Sequence, residues 1–175
     1  MQPLYTFKQF ALYALDEDFM MRYGDQICQS LDQIPLVEKH SVDQLLAIQK
    51  NNKDLYHKFE HSLIALSETA YAGVIIGYER KSENNDQYPK NSIYMSELAV
   101  DAGFQKQGLG RFLVKSWLDF NKKTGFLKLD GEAHFSVQTN SAAWNTTVQK
   151  LYSSFGFKKI AEKIYDNRTD NVYFM

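Results

Sequence analysis

The sequence predicts a single α/β domain spanning residues 1–175. Three observations carry that expectation. Apolar residues recur every three or four positions in the N-terminal third, and strand-like runs take over from Ser62. A strand then passes straight into a helix through a turn holding Gly108 and Gly110. Apolar residues make up 44% and aromatic residues 14% of the chain, enough to fill a substantial core.

Taken in order, LYTFKQFALY in residues 4–14 supplies a first strand, although its alternation is imperfect. Asp16 to Ile34 reads as a helix whose stripe is Phe19, Tyr23, Ile27, Leu31 and Ile34, ended by Pro35. Ser41 is an N-cap candidate for a second helix, and Gln44 completes a capping-box pattern. SLIALSE and AGVIIGYER form two strands joined by a tight turn near Thr69–Ala72. The polar stretch Ser82–Asn91 is an exposed loop, and SIYMSELAV is a third long strand.

After the glycines, Leu109, Phe112, Leu113, Trp117 and Phe120 mark one face of a helix that ends near Gly125. A strand is expected over Phe126–His134, weakened by Gly131. The following HFSVQTNSAAW reads as a long connection. Trp144, Val148, Leu151, Tyr152 and Phe155 then stripe another helix, stopped by Gly156. The tail forms a hairpin turning around Asp166–Asp170. An order of strands, then strand, helix, strand, helix and hairpin describes a mixed layered fold.

Composition excludes several functions. A formal charge of −1 gives no global field for nucleic acid or an anionic membrane, so an anion site must be local. Cys28 is the only cysteine, which rules out an intramolecular disulfide and a cysteine-based zinc site. The opening MQPLYTFKQF lacks the basic segment and apolar core of a secretion signal, and no apolar run has the length of a membrane span. The expectation is a soluble cytoplasmic protein. Exposed edge strands would allow a homodimer.

The turn QKQGLGR, Gln105 to Arg111, is the first chemical signal. A helix N-terminus carries unsatisfied N–H groups and the positive end of the peptide dipole. Glycine allows positive φ and lets an anion approach the backbone, while Lys106 and Arg111 add charge. Shaping a tight turn is the competing role. A Walker A loop would place lysine where Leu109 stands, which excludes it. A dinucleotide fingerprint needs a third glycine where Leu113 sits, although Asp130 lies at the distance of a ribose-binding acid.

Gln105-x-x-Gly108-x-Gly110, directly after ELAV, resembles the acyl-CoA-binding motif of the GNAT superfamily of N-acetyltransferases. That pattern is Gln or Arg, two residues, Gly, one residue, then Gly or Ala. NTTVQKLYSSFGF is similar to the superfamily's later segment, with Asn145, Tyr152 and Gly156-Phe157 in register. The resemblance implies a GNAT fold: a mixed, mostly antiparallel sheet of six to seven strands with helices on both faces. It implies transfer of an acetyl group from acetyl-CoA to a primary amine, by direct attack in a ternary complex without a metal.

On that resemblance the diphosphate rests on Gln105, Lys106, Gln107, Gly108, Leu109, Gly110 and Arg111. The pantetheine arm lies along Leu98, Ala99 and Val100, in a cleft between that strand and the one starting near Phe126. Asn145 helps hold the cosubstrate, with helix capping as its other reading. Tyr152 protonates or hydrogen-bonds the departing thiolate, with aromatic packing as its other reading. Glu97, a carboxylate in an apolar strand, is the candidate general base; His134 and a water relay are the alternatives. The acceptor, a small molecule or a protein amine, is not specified. The first helices and the loops Ser82–Asn91 and Phe135–Trp144 are expected to line its pocket.

Two other classes compete. HKFEH matches the zinc-peptidase pattern H-x-x-E-H, with His57 and His61 as ligands and Glu60 as base. A GNAT-like domain that binds acyl-CoA without catalysis is the second.

Overall fold

The computed structural model describes residues 2–33, 41–45, 59–80, 91–124, 128–129, 132–142 and 145–175. The first expected strand is a hairpin, β1 (Tyr5–Phe7) and β2 (Phe10–Ala14), paired antiparallel with Tyr5 opposite Leu12. Lys8 turns the corner at φ 55°. The imperfect alternation of LYTFKQFALY is thus explained, because two strands meet inside it.

Helix α1 (Glu17–Leu31) starts where the Asp16 carboxylate accepts the Phe19 N–H at 2.8 Å. Glu17 and Asp18 in its first turn suit the helix dipole. Met20, Tyr23, Ile27 and Leu31 are buried against the sheet. Ile34 and Pro35 lie outside the described residues. At 42–45 a helical turn opens with the expected capping box: Ser41 Oγ accepts the Gln44 N–H (3.2 Å) and Gln44 Oε1 accepts the Ser41 N–H (3.1 Å).

A 3-10 turn, Phe59–His61, leads into β3 (Leu63–Ser67), β4 (Ala70–Arg80) and β5 (Ser92–Val100). The β3–β4 turn is made by Glu68 and Thr69, with Glu68 at φ 55°. Helix α2 (Leu109–Thr124) follows the glycine turn. Gly125 lies outside the described residues.

The region after α2 differs from the sequence expectation. Among the described residues of 126–134 none joins the main sheet; instead β6 (Lys128–Leu129) and β7 (Glu132–Ala133) pair with each other. The strand beside β5 is β8 (Phe135–Asn140), in the stretch expected to be a connection and pocket loop. Its polar look misleads because Ser136 is buried by sharing a 2.7 Å hydrogen bond with Ser92. Helix α3 (Thr146–Ser154) ends at Gly156, φ +98°, and the tail forms the expected hairpin of β9 (Lys158–Tyr165) and β10 (Arg168–Phe174).

Among the described residues the main sheet has eight strands in the order β1-β2-β3-β4-β5-β8-β10-β9, rather than six to seven. The extra strand is the short edge strand β1, because the stretch expected as one first strand is a hairpin of two. All neighbours are antiparallel except β5 and β8. Two apolar cores sandwich it. On one face α2 packs Leu109, Leu113, Val114 and Trp117 against Ile75, Ile93, Met95 and Phe135. On the other, α1 covers Ile64, Val74 and Ile76. Helices therefore flank both faces, as expected, and no helix among the described residues is long and apolar enough to cross a membrane.

Candidate active site

The parallel pair β5–β8 is registered from Ile93 opposite Phe135 to Met95 opposite Val137, and there it stops. β5 runs on to Val100 held by β4 alone, among the described strands. The two strands therefore part at Ser96, and one edge of Leu98, Ala99 and Val100 is left for another extended chain. The cleft expected near Phe126 lies beside Phe135–Asn140 instead.

A bulge marks the same point. Ile76 faces Glu97 and Gly77 faces Met95, so Ser96 is the extra residue; its hydroxyl donates to the Ile76 carbonyl at 3.3 Å. The extra residue flips the side-chain alternation. Met95, Leu98 and Val100 all belong to the α2 core, while Ala99 belongs to the α1 core. Glu97, two residues before Ala99, is thereby turned to the α1 face rather than into the Trp117 core.

Tyr152 comes from the opposite direction. Its ring is buried with Phe157 and Tyr173, at centroid distances of 6.0 and 6.4 Å. Burial pushes its phenol well above the ordinary value, and the Glu97 carboxylate acts in the same sense. Tyr94 is raised by burial, with smaller contributions from Glu97 and Tyr152. Glu97 thus sits within electrostatic reach of the Tyr152 phenol, where β5 and β8 part. His134 does not: its ring stacks on Phe174, and its carbonyl accepts from Ile93, at the closed end of the pair. Five residues of strand, roughly 17 Å, separate that level from Glu97.

Beyond Val100, Asp101 accepts the Gly103 N–H at 2.9 Å and Gln105 Nε2 donates to the Val100 carbonyl at 3.1 Å, closing the turn. Lys106 (φ +61°) and Gly108 (φ +90°) both adopt left-handed backbone, which curls successive N–H groups toward a common centre. The first helical bond runs from Phe112 N to Gly108 O, 3.1 Å, so the N–H groups of Leu109, Gly110 and Arg111 have no acceptor within α2.

The two glycines differ. A Cβ on Gly108 would only touch the Phe7 ring at 3.7 Å, so its φ, not space, requires glycine. A Cβ on Gly110 would meet Val100 Cγ2 at 3.8 Å, an ordinary contact, so the chain's own packing does not demand glycine there. Lys106 is exposed, whereas the Arg111 guanidinium donates to Ser154 Oγ (2.8 Å) and lies 4.8 Å over the Phe155 ring, tying α2 to α3. Asn145 sits at the α3 N-cap position without a side-chain capping bond; its Nδ2 donates to Thr139 Oγ1 at 2.6 Å.

The zinc pattern does not assemble among the described residues. Glu60 is exposed, and His61 is buried with Nδ1 2.5 Å from Asn121 Oδ1 and Nε2 3.4 Å from Glu79 Oε1. Asn121 Nδ2 donates to the Trp117 carbonyl, which fixes the amide and makes His61 Nδ1 the donor. His57 lies outside the described residues.

Comparison with known proteins places the family and the fold. A family profile described as an acetyltransferase (GNAT) domain matches residues 58–159. The chain belongs to the GNAT acetyltransferases, and it is an acyltransferase. Its fold is similar to that of Ard1 from Thermoplasma volcanium (13% identity, TM-score 0.68, 96% of this chain and 97% of that one). It is similar to Arabidopsis thaliana Naa50 in complex with the bisubstrate analogue CoA-Ac-MVNAL (17% identity, TM-score 0.65, 96% and 99% covered). It is also similar to a chimera of the spermidine N-acetyltransferase SpeG from Vibrio cholerae and hSSAT (14% identity, TM-score 0.65, 96% and 95% covered). No curated protein matches the sequence.

Proposed function

We propose that the chain moves the acetyl group of acetyl-CoA to a primary amine, by direct attack while both substrates are bound. The observation that carries this reading is the parting of β5 and β8 at Ser96, immediately before a turn of left-handed backbone and helix-terminal N–H groups. An open strand edge suits the amide-rich pantetheine arm along Leu98, Ala99 and Val100. The turn from Gln105 to Arg111 suits the diphosphate, with Lys106 nearby as a cation. Asn145, bonded to Thr139 on β8, helps hold the cosubstrate beside that strand.

Within this site each residue has a task. Glu97 takes the proton of the incoming ammonium, directly or through water, because only a neutral amine attacks a thioester. N–H donors at the open β5 edge stabilise the developing oxyanion. Tyr152 donates its hydroxyl hydrogen to the sulfur as the carbon–sulfur bond breaks, and the proton that the attacking nitrogen sheds on becoming an amide restores the phenol through water. A buried phenol raised above its ordinary value is neutral in the resting site, and as a weak acid it serves the leaving sulfur chiefly as a hydrogen-bond donor. No step in this scheme requires a metal.

One structural neighbour is bound to a bisubstrate analogue, CoA-Ac-MVNAL, and another is a spermidine N-acetyltransferase chimera, which supports an amine acceptor here. The test is release of coenzyme A thiol from acetyl-CoA against a panel of peptide N-termini, lysine peptides and polyamines. Acetylation of one class, dependent on Tyr152, supports the reading. Binding of acetyl-CoA without turnover on any amine would reduce the chain to a binding module.

A further inference from the structure

The β1–β2 hairpin is used by nothing so far, yet its tip is bonded to the glycine turn. Lys8 Nζ donates to the Gln107 carbonyl at 3.0 Å, and Gln9 Nε2 donates to Gln107 Oε1 at 2.8 Å. Gln107 Nε2 in turn donates to the Gly103 carbonyl at 3.2 Å. Phe7 lies beside Gly108 and packs its ring 5.0 Å from Phe112 in the first turn of α2. Lys8 itself sits at φ 55°, so the hairpin spends an uncommon backbone conformation on presenting this side chain.

One peptide plane links these contacts to chemistry. Gln107 C=O and Gly108 N–H belong to the same planar, trans unit and point in opposite directions. Holding the carbonyl toward Lys8 therefore fixes the N–H on the far side. A cation on the carbonyl oxygen also withdraws charge through the amide, making that N–H a stronger donor.

The geometry points to Lys8 as a positioning residue for the coenzyme A-binding turn: by gripping the Gln107 carbonyl it aims and polarises the Gly108 N–H toward the diphosphate. This rests on the acetyl-CoA reading above. Lys8 need not touch the ligand, and its effect belongs to cosubstrate affinity rather than to the chemical step.

Calorimetric titration with coenzyme A and with dephospho-coenzyme A tests it, using the wild type, Lys8→Met and Lys8→Arg. Methionine keeps the side-chain stem on the exposed turn and removes the ammonium. The expected result is a loss of about fivefold for both ligands in Lys8→Met, restored in Lys8→Arg, with thermal melting unchanged. The Gly108 amide resonance should also move in Lys8→Met before ligand is added. Unaltered affinity in Lys8→Met overturns the inference, as does a loss confined to coenzyme A, which would place Lys8 on the 3′-phosphate. Failure of the wild type to bind either ligand would instead overturn the acetyl-CoA reading itself.

Discussion

Asn145 Nδ2 donates to Thr139 Oγ1 across 2.6 Å, joining the start of α3 to the far end of β8. That bond lies beyond the last β5–β8 pair, on the part of β8 that turns away from β5. Asn145→Ala should cost about 0.5–1.5 kcal/mol of stability, because a partly buried amide–hydroxyl bond is lost. Adding Thr139→Ala should cost less than the sum of the two single changes, since they remove the same bond. Chemical denaturation of the four proteins measures this; strict additivity would separate the two residues.

Gly108 and Gly110 should respond in opposite directions. Gly108→Ala forces a side chain into left-handed backbone and should destabilise by about 1–2 kcal/mol. It should also weaken coenzyme A binding by distorting the turn. Gly110→Ala has room and lies in a helix, so it should gain about 0.5–1 kcal/mol and leave coenzyme A affinity nearly unchanged. Melting curves and calorimetry on both variants give the comparison.

Tyr152→Phe keeps the ring among Phe157 and Tyr173 and removes one hydrogen-bond donor. Turnover should fall by about a hundredfold, with the KM for acetyl-CoA little changed. Glu97→Gln should lower turnover comparably, with the KM for acetyl-CoA again little changed. Equal activity in Tyr152→Phe would leave the ring as packing alone.

The buried phenols make a stability prediction. Tyr71, Tyr94 and Tyr152 are all raised above the ordinary value, chiefly by burial. In the unfolded chain they ionise near pH 10, while in the fold they stay neutral. Unfolding therefore becomes easier as pH rises above about 10, and these groups cost no stability below it. Exposed tyrosines such as Tyr165 ionise in the folded protein, but the last part of the tyrosinate absorbance should appear together with loss of near-ultraviolet circular dichroism. Titration of all eleven tyrosines in a still-folded protein would contradict this.

Most of the site's framework is readable from residue order. SIYMSELAV, the glycine turn and the amphipathic α2 stand in one unbroken stretch, so local periodicity locates them. The Asn145-to-Tyr152 spacing is likewise local to one helix. What the residues hide is non-local. Ser136 looks like a loop residue until Ser92 is placed across from it. Glu97 could face either core until the Ser96 bulge is known, because one inserted residue reverses every later side chain. The hairpin tip was obscured by Lys8, a residue rarely found in left-handed backbone, and its contact with Gln107 spans 99 positions of sequence.

The most direct measurement is a crystal structure of the chain with coenzyme A. The account requires the diphosphate on the N–H groups of Gly108 to Arg111, the pantetheine amides along Leu98–Val100, and the sulfur beside the Tyr152 hydroxyl. Density for the ligand anywhere else, with that turn bare and β5 closed onto β8, would contradict it.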